Sequence, residues 1–366
     1  MARDANLPLG EDPLLVYARS MSRISVKLMA FSLLATAMLV AASELLLRSC
    51  AASRYGPKEP IVWELGDGAT GAALNDVSRG LWSPRPGAKD PWGEVVGQLG
   101  CRGPDPSGDE GRLVVLALGD SSTYGYGLRE AQAWPRLVEA RLRERGLPVD
   151  VVNGGVIGYT VVQGRVRFEE LAPLVRPRVA VLAFGAVNDH YAAPGGVSDR
   201  ARVELWSRRN AWSDRLRRES ALVQFAADML GAADSREVDL ALQKQREAWG
   251  ALDYQGVRRV SLEDFAVELS ELCGAVRALD AEPVLVSMPR RADFEARKPV
   301  LPRYTAAVGL VAKDAGVALV DARAALASWP ASDAFLPNDR VHPTPEGHAR
   351  IADLVTDAVL VALDRR

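Results

Sequence analysis

From residue 114 onward, short apolar runs recur along the chain, each cut off by a polar turn. Residues 114–118 are unbroken Val, Leu and Ala, the pattern of a strand buried on both faces. That run stops at Gly119-Asp120-Ser121-Ser122, where Gly119 is expected to let the backbone turn sharply. Residues 134–144 (WPRLVEARLRE) then carry apolar positions at helical spacing. Residues 149–152 (VDVV) predict a second strand, interrupted by Asp150. It ends in the glycine-rich stretch Asn153-Gly154-Gly155-Val156-Ile157-Gly158, and helix 162–174 follows. Residues 179–184 predict a third strand, ending in Gly185-Ala186-Val187-Asn188-Asp189-His190. Residues 284–286 and 317–320 predict two more, ending at Ser287 and Asp321, and helix 346–363 closes the chain with Ile351, Leu354, Val355, Val359 and Leu360 turned inward. Strands alternating with helices imply an α/β fold with a parallel sheet. Such sheets place their chemistry beyond the carboxyl ends of the strands.

Two stretches depart from this rhythm. Residues 28–42 carry no charge; after Ser43 and Glu44 the apolar character resumes, and Arg48 ends it. The run 28–47 is close to the ~20 residues that cross a bilayer. Arg3, Arg19, Arg23 and Lys27 precede it, which favours an uncleaved signal anchor with residues 1–27 cytoplasmic. The remainder is then expected outside the cytoplasm, in a periplasm or at the cell surface. Residues 48–110, rich in Gly, Pro and Trp, predict an irregular lead-in. Residues 200–279 are mostly helical in pattern and longer than one crossover helix requires. A helical insertion about 200–280 is expected, its charge runs (Arg217, Arg218 and Arg236 among them) forming solvated faces.

Composition narrows the function classes. The chain has 366 residues, a net charge of -2 and 25% charged residues, so it lacks the basic excess of a nucleic-acid binder. Its 3 cysteines, Cys50, Cys101 and Cys273, fit no zinc spacing, and Cys273 is expected to be a small buried hydrophobe. The tetrapeptide at Ser121 is not the G-x-S-x-G elbow, because position 123 is Thr; nor is it a phosphate loop, because no lysine is near.

The chemistry-bearing residues fall at the ends of the strands. A serine nucleophile needs a base within hydrogen-bond reach and a third group to orient it. Of the 3 histidines, His342 follows Asp339 by one helical turn's spacing, so one loop can supply both base and orienting carboxylate. His348 is expected on the surface of the last helix, and Arg290 and Arg291 in a solvent-exposed loop.

Gly119-Asp120-Ser121-Ser122, Asn153 to Gly158, Gly185 to Asp189 and Asp339-x-x-His342 together resemble the four blocks of the SGNH (GDSL-type) hydrolase superfamily, in the family's order. The likeness covers residues 112–362. It implies a three-layer α/β/α, flavodoxin-like fold with a five-stranded parallel sheet over residues 111–366, behind the N-terminal transmembrane helix. It also implies Ser121 as nucleophile, His342 as base and Asp339 orienting His342. The oxyanion hole would comprise the Ser121 and Gly158 N–H groups and the Asn188 amide, with no metal or organic cofactor. The third block, usually Gly-x-Asn-Asp, holds one extra residue here, which a strand-end bulge is expected to absorb. Bacterial membrane-anchored members share the hydrophobic anchor, a Gly-x-Arg-Gly segment (Gly100 to Gly103) and Asn-Asp-His (Asn188 to His190). Asp120 and His190 are candidates for the site rim. The implied activity is a serine esterase on a small-molecule or glycan ester. An O-acyltransferase acting on exported polysaccharide, or a non-catalytic glycan- or partner-binding protein, are the alternatives.

Overall fold

The computed structural model describes residues 13–50, 75–78, 81–109, 111–193, 196–208, 220–229 and 250–364. Expectations for residues 1–12, most of the lead-in before residue 81, and the middle of the insertion with Arg217, Arg218 and Arg236 lie outside them. The chain divides into two units, one formed by Met1–Lys58 with Trp212–Ala232 and the other by Glu59–Ala211 with Ala233–Arg366.

In the larger unit the predicted runs become strands β1 (Leu113–Gly119), β2 (Val149–Asn153), β3 (Val179–Ala183), β4 (Glu282–Val286) and β5 (Ala318–Val320). Among the described residues they form one five-stranded parallel sheet in the order β2-β1-β3-β4-β5. This is the flavodoxin-like order, with its switch point between β1 and β3.

Strand side chains alternate between faces, and that alternation divides the core. Leu116, Leu118, Ala180, Leu182 and Leu285 pack one way, against α2 (Val161–Val175), α3 (Leu262–Ala278) and α4 (Leu301–Ala315). Val115, Ala117, Val179, Val181, Val284 and Val286 pack the other way, against α1 (Trp134–Glu144) and the closing helix α5 (Pro345–Asp364). Both faces of the sheet are thus covered, giving the three expected layers.

Sequence reasoning did not identify α4, although its ends carry the usual signals: Pro302 in the first turn and Gly316 at φ 61° as the left-handed C-cap. Asp150, which interrupts the second apolar run, lies on the edge strand β2. There it accepts from Ser107 N and Oγ at 2.9 Å each and pairs with Arg112 at 2.8 Å and Arg143 at 2.7 Å. Cys101 and Cys273 are buried and Cys50 is exposed; all three are free thiols.

The smaller unit holds the helix Pro13–Cys50, in which Leu28–Cys50 (23 residues) is long and apolar enough to cross a membrane. Glu44, the carboxylate inside that stretch, caps the helix Ala221–Met229. Its oxygens accept from Ala221 N at 2.8 Å, Leu222 N at 2.9 Å and Ser220 Oγ at 2.8 Å. These are the orphan donors of a helix start, supplied here with an acceptor from another helix.

Candidate active site

β1 delivers Ser121 directly into a one-turn helix, Ser121–Tyr124, capped by Asp120, whose carboxylate accepts from Ser122 N at 2.9 Å. Gly119 is required here for a reason other than the expected sharp turn. A Cβ on it would lie 2.5 Å from the Ala183 carbonyl and would run into the Thr123 hydroxyl, so only a bare backbone fits between β3 and the new helix. Gly155 repeats the logic one loop away, where a Cβ would sit 2.5 Å from Tyr124 N. The glycine-rich stretch therefore packs directly on the turn that carries Ser121. It is pinned by Gly154 N to Ala117 O at 2.8 Å and Val156 N to Gly119 O at 3.1 Å.

Ser121 Oγ lies 2.8 Å from His342 Nε2, and His342 Nδ1 lies 2.7 Å from Asp339 Oδ2. The other Asp339 oxygen accepts three backbone N–H groups, from Arg340 at 2.6 Å, Val341 at 2.8 Å and His342 at 2.9 Å. Burial pushes this carboxyl up, but the His342 hydrogen bond and charge, with the N–H donors, hold it well below the usual carboxylate range. Asp339 thus stays ionised and accepts from the His342 Nδ1–H, which leaves Nε2 as an acceptor facing Ser121 Oγ. Tyr126 stacks on the other side of the imidazole, ring centroids 4.4 Å apart and planes 28° from parallel.

The remaining predicted donors are held close to one another. Gly158 sits at φ 82°, a backbone region that favours glycine, and the buried Asn188 donates through Nδ2 to Tyr159 O at 2.9 Å. That bond uses one of the two amide hydrogens and leaves the other to aim elsewhere. The extra residue of the third block is absorbed in a turn after β3 rather than in a bulge, with Ala186 at φ 58°. A left-handed alanine costs about 1 kcal/mol. The turn is held by Arg290, whose Nη1 donates to the Gly185 carbonyl.

Five expectations about individual residues need correction. Arg290 is buried, not in an exposed loop; besides Gly185 O it binds Glu295 at 2.9 Å and Thr305 Oγ1 at 2.6 Å. Arg291 is half-buried and donates to Asp339 O at 3.2 Å, bracing the histidine loop. His348 is fully buried rather than on the surface. Its Nδ1 accepts from Trp134 N at 3.0 Å, capping the helix Trp134–Glu144, and burial pushes its pKa down to about 3. His190 is not on the rim: it is 0% exposed, with Nδ1 3.2 Å from Ala186 O, and burial holds it neutral. Asp120, the other rim candidate, is also buried; burial raises its pKa against the pull of the Ser122 N–H, His342 and Arg290.

Sequence reasoning missed one residue that the site depends on. Arg102, which the sequence marks only as part of the Gly100 to Gly103 segment, is 1% exposed and sits beneath the Ser121 loop. It pairs with Asp90 at 2.9 Å and donates to the carbonyls of Tyr124 at 2.9 Å, Gly125 at 2.8 Å and Leu128 at 2.6 Å. Its flanking Gly100 and Gly103 adopt φ 64° and 88°, and a Cβ on Gly100 would meet Pro84 O at 2.8 Å. The Gly-x-Arg-Gly spelling was the available signal. Among the described residues no cluster of His, Cys, Asp and Glu could hold a metal ion.

Residues 117–350 match the model of the GDSL-like lipase/acylhydrolase family. An arylesterase of Vibrio mimicus is 36% identical over 75 residues, which cover 20% of this chain and 37% of that protein, so the match spans little more than a third of the relative. Esterase TesA of Pseudomonas aeruginosa is 26% identical over 178 residues, 48% of this chain and 83% of that one. Among solved structures, TesA superposes with a TM-score of 0.44 at 17% identity, covering 68% of this chain and 99% of that chain. The acetylxylan esterase Axe2 from Geobacillus stearothermophilus superposes with 0.44 at 20% identity, covering 68% and 94%. With the family model spanning the sheet from β1 into the closing helix, the chain belongs to the GDSL-like lipase/acylhydrolase family and is an ester-bond hydrolase.

Proposed function

We propose that this hydrolase is a serine esterase working through an acyl-enzyme on Ser121. The observation that carries the reading is the unbroken chain from Ser121 Oγ to His342 Nε2 at 2.8 Å and from His342 Nδ1 to Asp339 Oδ2 at 2.7 Å. Ser121 Oγ attacks the ester carbonyl while its proton passes to Nε2, and Asp339 stabilises the imidazolium that forms. The carbonyl oxygen becomes an oxyanion that the Ser121 and Gly158 N–H groups and the free amide hydrogen of Asn188 receive. Each such donor is worth about 3 kcal/mol in a preorganised site. Nε2 then returns the proton to the leaving alkoxide, and a water activated by the same nitrogen releases the acid. Tyr126, lying flat on the imidazole, gives the transient cation an aromatic face.

The apolar helix supports placement at a membrane. Leu28–Cys50 serves as the anchor, the basic residues before it stay in the cytoplasm, and the hydrolase unit works on the far side. The substrate is an acyl ester of a small molecule or glycan.

The test is hydrolysis of p-nitrophenyl acetate by the full-length protein in detergent, wild type against Ser121→Ala, with fluorophosphonate labelling of both. A loss of ~10³-fold or more in kcat/KM, with labelling abolished, is the expected result. Activity that survives in Ser121→Ala would refute the covalent route. Acyl transfer to an added oligosaccharide in competition with hydrolysis would reassign the second half-reaction to a sugar hydroxyl.

A further inference from the structure

Arg259 lies outside all four sequence blocks, yet its guanidinium binds the end of the second block and the backbone beside it binds the third. It is 4% exposed. Nη1 donates to Gly158 O at 2.8 Å, Nη2 to Gln163 Oε1 at 2.7 Å, and Nη2 and Nε to Asp199 Oδ2 at 2.8 and 3.1 Å. Asp199 in turn accepts from Thr160 Oγ1 at 2.9 Å, and Gln163 Oε1 accepts from Thr160 N at 3.0 Å. Asp199, Gln163 and Thr160 are themselves buried. The backbone on either side of Arg259 runs along the third block, with Arg259 N bonded to Tyr191 O at 2.7 Å and Val260 N to Asp189 O at 3.0 Å. Asp189 Oδ1 returns to the stretch just after the second block by accepting from Val161 N, at the start of α2, at 2.9 Å. Every peptide from Gly158 to Val161 is therefore gripped: Gly158 O by Arg259, Tyr159 O by Asn188, Thr160 N by Gln163 and Val161 N by Asp189.

Gly158 sits at φ 82° and Asn188 hangs from the neighbouring carbonyl, so the aim of both donors depends on how this turn is held. The Gly158 carbonyl is also buried beside a charged fork, and a charge-assisted bond of this kind is about twice as strong as a neutral one. Asp199 opens the helix Asp199–Arg208, the first of the insertion, and Arg259 stands where the insertion returns to the sheet. The ion pair thus clasps the root of the insertion and the turn of the oxyanion hole with one set of bonds.

We propose that Arg259 is a positioning residue for acyl transfer at Ser121: through the Gly158 carbonyl it sets the aim of the Gly158 N–H and the Asn188 amide, and it makes that aim depend on the root of the insertion. The proposal rests on the acyl-enzyme reading given above. It differs from a plain stability role because the guanidinium does three jobs that a single ammonium cannot. A lysine can pair with Asp199 but cannot at the same time hold Gly158 O and Gln163.

The experiment uses the full-length protein in detergent, with p-nitrophenyl acetate for kcat and KM, a fluorophosphonate for the rate of covalent capture, and thermal unfolding as the control. Arg259→Lys is expected to fold and to lose about 30-fold in kcat with KM within about threefold, since a misplaced oxyanion donor acts in the transition state. Fluorophosphonate capture should slow in parallel, because the tetrahedral phosphorus places its oxygen in the same hole. Asp199→Asn, which keeps the shape and removes the charge, should show a smaller loss of the same kind. Should Arg259→Met fail to fold, the lysine and asparagine variants decide. Arg165→Met, which breaks an ion pair of 2.7 Å to Glu268 between α2 and α3, is the structural control; it should lower Tm with kcat within twofold.

A folded Arg259→Lys with wild-type kcat overturns the proposal, as does an Arg165→Met that loses kcat as fully for the same drop in Tm. Ser121→Ala runs alongside. If it stays active, the acyl-enzyme reading itself has failed. If it is dead while Arg259→Lys is fully active, only the positioning role has.

Discussion

Replacing Arg102 by Met should strongly destabilise the hydrolase unit. The side chain is 0% exposed, as is that of its partner Asp90, and methionine fills much of the same space. Removing one partner of a buried pair costs about 3–5 kcal/mol, because the other charge is left without compensation. The carbonyls of Tyr124, Gly125 and Leu128 also lose their donor, at about 1 kcal/mol each where water cannot enter. These terms overlap, so a total of about 5 kcal/mol is the working figure, or a fall in Tm of roughly 10–20 °C for a domain of this size.

Adding Asp90→Asn should recover about 2 kcal/mol. The new amide oxygen can still accept from Trp92 N and Glu94 N, each at 2.9 Å, while the bare charge is gone. Intrinsic tryptophan fluorescence on heating, with the full-length protein in detergent, reads the wild type and both variants. kcat should fall as well, since the clasped loop carries Tyr126 onto His342. A Tm within 3 °C of wild type for Arg102→Met, or a double variant less stable than the single one, would refute the reasoning.

Two other expectations concern the site and the core. With the amide acting on the developing oxyanion as proposed, Asn188→Ala should lower kcat about 10²-fold on p-nitrophenyl acetate with little change in KM; a loss confined to KM would place Asn188 in ground-state binding instead. His348 has a folded pKa of about 3 against about 6.5 unfolded, so the unfolded chain takes up a proton that the folded one refuses. Its contribution is complete above pH 6.5 and is lost as pH falls toward 3, at about 1.4 kcal/mol per pH unit. Asp189, pushed up to about 7 by burial, works in the opposite sense over much of that window, and His190 in the same sense as His348. Comparing wild type with His348→Asn cancels both. The Tm of wild type should fall more steeply between pH 6.5 and 5, and parallel curves would show that His348 does not titrate as buried.

The five strands and the Asp339–His342 pair were legible because each is written locally; Ser121, 221 positions from His342, was joined to them by the order of the four blocks. An apolar run covered on both faces needs no partner to be recognised, and Asp339 and His342 lie within one loop. The residues that were misread have their partners far away in sequence. His348 looks like any polar residue in a first helical turn until Trp134 N, 214 positions earlier, is brought to its ring. Arg102, Arg259 and Arg290 bind backbone carbonyls, and a carbonyl has no spelling. A charged residue committed to the main chain is indistinguishable, in sequence, from one in solvent. The one-residue excess in the third block was visible, but its solution was not, because Ala186 enters the left-handed region only under the constraint of Arg290 on the preceding carbonyl.

The state of the three thiols has a practical consequence. Cys101 and Cys273 are enclosed and Cys50 is exposed at the end of the apolar helix, so the natural chain already carries a single addressable handle at that boundary. A maleimide that cannot cross lipid, applied to intact cells and then to cells opened with detergent, reports which side that end occupies, with no residue altered. The two enclosed thiols should react only once the protein is unfolded, which gives the same reagent its own internal count.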